Sequence, residues 1–214
     1  MKLSNTMLMI VATAALVGSV VASTNVISTN PTAVLNIQDD SGKTAVSIAL
    51  PDNLTKTQVK NISLAYDIGK RDGLAPDLLP AIILQETLAG EHHAYKVAGQ
   101  EFGLAPNKRY YGLAQIKLAA AKDVLDQYPS LRQTFSFHTK TDEEIIAKLI
   151  ENDEFNLSVA SKYLVMLKER GFSTIQQLAL AYNQGPGGAR QFNANTHHYP
   201  QGVMRNLQRL KNDA

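Results

Sequence analysis

The sequence predicts an all-α domain, and three observations lead to that prediction. From Leu54 onward, apolar residues recur at helical spacing, where a strand would show strict alternation. Residues that favour helix starts, such as Thr55 and Thr141, stand before these apolar runs, and Gly73 is typical of the residues that end them. Short connections between many helices predict one compact helical domain over residues 55–214.

The first two helices are defined by their boundary residues. Thr55 is expected to cap the first helix, which ends at Gly73. Pro76 and Asp77 open the second helix, predicted over residues 78–89. Pro80 is acceptable there because it lies in the first turn, where its missing N–H has no helical partner to lose.

The third and fourth helices follow the same logic. The third is predicted over residues 113–127 and stops before Pro129, which cannot continue a helix. Thr141 and Glu144 form a capping-box pattern in front of an apolar run that reaches Ile150. The sequence therefore predicts a fourth helix that is capped by Thr141.

The remaining helices complete the domain. A fifth is predicted over residues 153–170, with Gly171 as its C-terminal stop. Ser173 is expected to cap a sixth, which ends in the Gly/Pro turn at 185–187. A last apolar face is formed by Val203, Leu207 and Leu210.

The N-terminus has the pattern of an export signal. Lys2 precedes an apolar run over residues 7–17, and small residues follow, which predicts a signal peptide over residues 1–22 that is cleaved after about Ala22. The alternative, an uncleaved anchor, needs about 20 continuous apolar residues, and Gly18 interrupts this run. The sequence thus predicts a periplasmic or extracellular protein without a stable membrane anchor.

Residues 23–54 differ in composition from the domain that follows. They are rich in Ser, Thr and Asn, which predicts a linker. A weak alternation of apolar and polar residues at 45–50 is compatible with one short strand.

Composition excludes several classes of function. Lys and Arg number 21 against 19 Asp and Glu, so the surplus of basic residues that nucleic-acid binding requires is missing. The chain has no cysteine, which excludes disulfides, thiolate metal sites and thiol nucleophiles. The sequence has two adjacent histidine pairs, His92-His93 and His197-His198. Adjacent side chains diverge by about 100° on a helix, and no carboxylate-supported ligand pattern accompanies either pair, which argues against a metal site. Both pairs are therefore predicted to be loop or surface residues. No metal and no cofactor are expected.

One carboxylic acid stands on an unusually apolar segment. In the predicted second helix, Glu86 lies over Leu79, Ile82 and Ile83. Burial disfavours the charged form and raises a carboxyl pKa, as a general acid near neutral pH requires. A buried carboxylate paired with a basic residue from another helix is the structural alternative, and this feature alone leaves both open.

Two polar motifs accompany this acid. In the first, Tyr111 and Gly112 precede Gln115 at a predicted helix start. In the second, Tyr182 and Asn183 precede a Gly/Pro turn. Each is compatible with ordinary capping and packing, but neutral donors and acceptors around one acid also suit a carbohydrate.

Together these motifs resemble those of the soluble lytic transglycosylases, whose domain is similar to goose-type lysozyme. That family has an acid followed by Ser at a helix end, G-L-M-Q-[IL], a helix with N-[IL]-x-x-G-x-x-Y-L, and then A-Y-N-A-G-P-G. The corresponding segments of this chain are Glu86-Thr87, Gly112 to Ile116, Asn156 to Leu164, and Ala181 to Gly187. Thr196 to Tyr199 resembles the family's closing T-x-x-Y element. The resemblance spans about residues 56–210.

This chain departs from the family pattern at several positions. Thr87, Ala114, Ala160 and Gln184 stand where Ser, Met, Gly and Ala are usual. The stretch over residues 90–108 also makes the interval after the acid longer than is typical. This longer interval borders the expected cleft, so it affects the expected substrate preference more than the expected mechanism.

The resemblance implies a peptidoglycan lytic transglycosylase that cleaves the β-1,4 bond between N-acetylmuramic acid and N-acetylglucosamine and forms the 1,6-anhydro sugar. It implies Glu86 as the catalytic acid and then base, without metal or cofactor. The implied substrate-binding residues are Gln115, Tyr182, Asn183, Tyr111, Gly112 and Tyr199.

Other functions remain open at this point. A hydrolytic muramidase on the same fold would need a second carboxylate, for which the candidates are Asp67, Glu91, Glu101 and Asp153. A wall-binding protein that kept the fold but lost activity is a second alternative. The expected partners are peptidoglycan glycan strands, and an envelope-spanning secretion or conjugation assembly is the favoured biological setting.

Overall fold

The computed structural model describes residues 54–92, 96–137 and 141–212, together with short strands N-terminal to them. The chain forms two compact units. One comprises Met1–Leu54 with Gln208–Ala214, and the other comprises Thr55–Leu207. The helical pattern of the sequence begins at the boundary between them.

The N-terminal strands form two antiparallel pairs. β1 (Met9–Val11) pairs with β2 (Ser23–Asn25), and β3 (Ala33–Gln38) pairs with β4 (Thr44–Leu50). The strand expected at 45–50 is present as β4, whereas β3 lies in a stretch that was expected to be linker. Outside these strands, the predicted signal peptide with its cleavage site after Ala22, and the predicted linker up to residue 53, lie outside the described residues.

The chain from residue 54 onward is mostly helical, as the sequence predicts for this part. Of the residues described there, 68% are helical, and a small sheet accompanies them. The helices are α1 (Lys56–Arg71), α2 (Leu78–Thr87), α3 (Leu118–Gln127), α4 (Ser130–Thr134), α5 (Asp142–Glu151), α6 (Asp153–Glu169), α7 (Ile175–Ala189) and α8 (His198–Asn212). The side chains of Thr55 and Thr141 accept the capping hydrogen bonds of α1 and α5, as their positions in the sequence predict.

Helix α6 is the centre of this unit. It contacts α1, α2, α3, α5 and α7. Phe155, Leu157 and Leu164 are completely buried on it, and so is the polar side chain of Asn156. Burial on several sides explains why α6 shows a weak amphipathic pattern compared with the surface helices.

A small antiparallel sheet interrupts the helices, and the sequence did not predict it. Its strands are β5 (Val97–Ala98), β6 (Tyr110–Tyr111) and β7 (Ile116–Lys117), in that order. The predicted start of the third helix at residue 113 is therefore wrong, since α3 begins at Leu118. Gly112 and Gln115 adopt positive φ angles of 70° and 51°, which form a turn that a helix cannot contain.

Three other helix boundaries also differ from the prediction. α2 ends at Thr87, two residues earlier than expected. α7 is capped by Thr174, one residue later than expected, and continues past the Gly/Pro turn to Ala189, with a break at Gly185 (φ 72°, ψ 162°). α8, which carries the last apolar face, starts at His198. The short helix α4 was not predicted. In the part of the chain described here, no helix is both long enough and apolar enough to span a membrane.

Candidate active site

Glu86 lies in the last turn of α2, the most apolar helix of the second unit. The helix is buried over Leu78 to Leu84, so Glu86 projects from an apolar wall and is itself only partly exposed. Burial raises the pKa of its carboxyl from 4.5 to about 7. The side chain is therefore protonated in roughly half of the molecules at neutral pH, as a general acid requires.

A tyrosine from α8 contacts this acid directly. The Tyr199 hydroxyl donates a 2.5 Å hydrogen bond to Glu86 Oε1, which favours the ionised form and partly opposes the effect of burial on the pKa. α8 lies close against α2 here, because Gly202 stands next to the Gln85 side chain and Asn206 Nδ2 donates to Ala81 O at 3.2 Å. The resulting close packing places Tyr199 against the acid.

The backbone directly after Glu86 is held in an uncommon conformation. Leu88 and Ala89 both have left-handed φ angles, 50° and 52°, which non-glycine residues seldom adopt. Helix α1 holds both residues, since Gln58 Nε2 donates to Leu88 O at 3.0 Å and the buried Asn61 Nδ2 donates to Ala89 O at 2.9 Å. The end of α2 is thereby fixed by side chains from another helix.

Opposite Glu86, the β6–β7 turn is fixed by buried polar groups. Asn156 Oδ1 accepts from Ala114 N at 2.8 Å, and its Nδ2 donates to Tyr111 O at 2.8 Å. The Tyr182 hydroxyl donates to Ala114 O at 2.6 Å. Both backbone polar groups of Ala114 are therefore paired with side chains of α6 and α7.

Thr87 links the acid to this turn. Its hydroxyl, which is almost completely buried, lies 2.8 Å from Leu113 O, to which it donates. It also accepts from Gly90 N at 3.2 Å, which caps the short 3-10 segment after α2. The Thr87 hydroxyl therefore joins the end of α2 to the β6–β7 turn.

A cavity lies between Glu86, the β6–β7 turn and the C-terminal half of α7. The described residues that line it are Glu86, Tyr110, Gln115, Ile116, Lys117, Ala120, Tyr163, Tyr182, Asn183, Gln184 and Gly185. Apart from Glu86 and Lys117, these residues are neutral, and many carry hydroxyl or amide groups. Such a lining suits a ligand rich in hydroxyl and acetamido groups.

Four of the predicted site residues meet at this cavity: Glu86, Gln115, Tyr182 and Asn183. Gln115 does not start a helix, as the sequence suggested, but adopts a left-handed φ and donates from Nε2 to Gly112 O at 2.8 Å. Asn183 Oδ1 accepts from the neighbouring Gln184 side chain. The phenol of Tyr182 remains protonated at neutral pH because burial raises its pKa well above 10.

The other three predicted residues lie elsewhere. Tyr111 is 2% exposed, donates from its hydroxyl to Pro106 O at 2.7 Å, and is not one of the residues that line the cavity. Gly112 faces α6, and a Cβ there would lie 2.2 Å from Leu149 O. Gly112 is buried, and its backbone lies close to the Asn156 side chain. Tyr199 is buried behind Glu86, where it contacts the acid.

Sequence reasoning missed Tyr110, Lys117 and Tyr163 as residues of the cavity. Tyr163 lies within the predicted fifth helix, and its ring lies 5.8 Å from that of Tyr182. Tyr110 and Lys117 lie in β6 and β7 of the sheet that the sequence did not predict, where they are directly paired. The alternation in Tyr110-Tyr111 and Ile116-Lys117 was too short to indicate strands.

The candidates for a second carboxylate do not line the cavity. Glu91 Oε1 accepts from the Thr55 hydroxyl, and Glu101 Oε2 accepts from Gly99 N at 3.1 Å. Asp67 lies on α1, and Asp153 is the first residue of α6. Among the described lining residues, Glu86 is the one carboxyl group.

No protein-family model and no curated protein sequence matches the chain.

Proposed function

We propose that the chain is a peptidoglycan lytic transglycosylase with a fold like that of goose-type lysozyme. The observation that carries the proposal is Glu86, whose pKa is about 7 in a cavity otherwise lined by tyrosine and amide side chains. The order of the motifs in the sequence, from the acid to the turn, the central helix and the Tyr182 segment, supports the same family.

In the proposed reaction Glu86 acts first as acid and then as base. Its carboxyl donates a proton to the glycosidic oxygen between N-acetylmuramic acid and N-acetylglucosamine, and the C–O bond breaks as positive charge develops at C1. The N-acetyl group of the muramic residue assists. The carboxylate then takes the proton of the C6 hydroxyl, whose oxygen bonds to C1 and closes the 1,6-anhydro ring.

The cavity supports transglycosylation over hydrolysis. Glycosidases that use water or a protein nucleophile require two carboxyl groups about 5 to 9.5 Å apart. Among the described residues of the cavity only Glu86 has one, and the four alternative acids lie on other parts of the unit. A reaction whose nucleophiles belong to the substrate requires a single carboxyl.

The remaining residues have positioning roles in this proposal. Tyr182 holds the β6–β7 turn at Ala114, and Gln115 and Asn183 present amide groups to the sugar. Tyr199 orients the Glu86 carboxyl and adjusts its pKa. Tyr111 and Gly112 help to fix the turn through their contacts with Asn156 and have no direct contact with substrate in this proposal.

Digestion of purified sacculi, followed by mass spectrometry of the products, tests the proposal. Anhydromuropeptides are expected from the wild-type protein and not from Glu86→Gln. Reducing muramic ends would indicate a hydrolytic muramidase, and a lack of soluble products would favour a wall-binding protein without activity.

We also propose that the protein acts outside the cytoplasmic membrane, where it opens the wall locally for an envelope-spanning secretion or conjugation assembly. The apolar N-terminal segment with Lys2 supports export. N-terminal sequencing of the protein from the periplasmic fraction tests export, and a new N-terminus near Ser23 is expected.

A further inference from the structure

One basic side chain lines the Glu86 cavity among the described residues, that of Lys117. It is exposed, and no carboxylate in the described part of the chain forms an ion pair with it. Its ammonium lies 4.8 Å from the ring centroid of Tyr110, its partner across β6 and β7. The aromatic ring thus holds the cation beside the cavity and leaves its hydrogen-bond donors available.

Helix capping gives no reason for a lysine at this position. Lys117 is the N-cap of α3 and makes no capping hydrogen bond. Ser, Thr, Asn and Asp are favoured at N-caps because their side chains accept from the first free N–H groups, and lysine has no acceptor. A positive charge also meets the positive end of the helix dipole there, which is unfavourable. Lys117 is therefore a poor N-cap for α3.

The charges of the groups that line the cavity favour a negatively charged ligand. Glu86 is about half protonated at neutral pH, so the two charged groups do not cancel, and the cavity favours an anionic ligand near Lys117. Polymers of N-acetylglucosamine are neutral. N-acetylmuramic acid carries a lactyl carboxyl group, which is either free or linked to a peptide that bears further carboxylates.

We propose that Lys117, held against Tyr110, binds a carboxylate of the saccharide and makes the cavity select muramic-acid-containing strands over neutral amino-sugar polymers. The inference rests on the proposed function, since it names the carboxylate of the substrate that the same cavity recognises. Lys117 has no part in the proton transfers at Glu86.

Binding measured in the Glu86→Gln background tests the proposal without cleavage of the ligand. Three tetrasaccharides serve as probes: the peptide-free muramic form, the peptide-bearing muramic form, and neutral chitotetraose. Lys117→Gln is expected to weaken binding of at least one muramic form roughly fivefold to tenfold at low ionic strength, while chitotetraose affinity changes less than about twofold. Comparison of the two muramic forms shows whether the carboxylate is lactyl or peptidic.

Three controls sharpen this experiment. Lys117→Arg keeps the charge and is expected to retain most of the muramic affinity. Lys168→Gln removes an exposed lysine of α6 that does not line the cavity, and is expected to change nothing. At about 0.5 M salt the difference between Lys117 and Lys117→Gln should shrink, because screening weakens an exposed ion pair.

A stability measurement separates binding from a structural role. Lys117→Ser supplies the missing N-cap acceptor, so the thermal midpoint is expected to rise by a few degrees while the preference for muramic ligands is lost. Equal losses for neutral and muramic ligands, or no loss for either muramic form, overturn the proposal.

The same experiments distinguish failure of this inference from failure of the proposed function. A Lys117-dependent preference without anhydro products from sacculi would support carboxylate binding and contradict the transglycosylase. Anhydro products with no effect of Lys117→Gln would contradict the inference alone. No binding of any of the three probes would overturn both.

Discussion

Tyr199 donates a 2.5 Å hydrogen bond to Glu86, although 113 residues separate them in the chain. Burial raises the pKa of Tyr199 well above 10, so its hydroxyl remains a donor through the neutral range. Burial also raises the pKa of Glu86, and the hydrogen bond opposes that effect. The value of about 7 thus reflects two influences of opposite sign, one of which a single substitution can remove.

Tyr199→Phe is expected to raise the pKa of Glu86 further, because the bond it removes favours the carboxylate. The alkaline limb of the pH–rate profile for sacculus digestion should move up by roughly one pH unit, with a severalfold lower maximal rate as the carboxyl loses its orientation. Tyr128→Phe, at the C-terminal end of α3, is the matched control. An unchanged alkaline limb would show that Tyr199 does not tune the acid.

Glu86→Gln is expected to abolish activity and to stabilise the fold at alkaline pH. Because the pKa rises from 4.5 to about 7 on folding, the unfolded chain ionises first, and the wild type loses roughly 3 kcal/mol of folding free energy as the pH rises from 4.5 to 7. Below pH 4.5 the carboxyl is neutral in both states and this loss is absent.

Urea unfolding at pH 4.5 and pH 8 measures this effect. The difference between the two pH values should be smaller by about 3 kcal/mol in Glu86→Gln than in the wild type. Glu151→Gln, at the exposed end of α5, should behave like the wild type. Equal pH dependence in all three proteins would mean that Glu86 is more accessible to water than its position indicates.

Gly112→Ala is expected to destabilise the unit by about 3 kcal/mol or more. A Cβ at this position, where φ is 70°, would lie 2.2 Å from both Leu149 O and Asn156 Nδ2. Gly171→Ala is a matched control, since φ is also positive there at 94° and no atom lies within 4 Å. It should cost only about 1 kcal/mol by denaturant unfolding, so similar losses in the two variants would exclude close packing as the reason for Gly112.

Asn156→Ala is expected to cost roughly 3 to 5 kcal/mol of stability. It leaves the buried N–H of Ala114 and the carbonyl of Tyr111 without their partner and opens a cavity on α6. Any protein that still folds should digest sacculi more slowly, because the turn that carries Gln115 is no longer fixed. Denaturant unfolding and initial rates test both effects, and normal values of both would contradict the role given to Asn156.

The helices were predictable where local chemistry decides them. Thr55 and Thr141 cap helices at the expected positions, and the apolar surroundings of Glu86 are evident in its own segment of sequence. The β6–β7 turn was not predictable, because the left-handed φ of Gln115 is fixed by contacts from α6 and α7 with distant residues.

The site was predictable only in part, because contacts between distant residues decide which side chains face the cavity. Gln115, Tyr182 and Asn183 reach it, but the motifs do not indicate which polar groups are hydrogen-bonded to the protein itself. Tyr111 and Tyr199 were expected to face the sugar, and each has its hydroxyl bonded to the protein itself. A single lysine in sequence, such as Lys117, is indistinguishable from an ordinary surface charge.

The position of Tyr199 on α8, the last helix described, has a consequence for biosynthesis. Ribosomes make Glu86 long before its hydroxyl partner, and a partial chain lacks both the packing of α8 against α2 and that hydrogen bond. Glu86 therefore acquires its full environment only after translation has passed Tyr199. A chain that ends before Tyr199 should accordingly have a Glu86 carboxyl without the hydrogen bond that orients it.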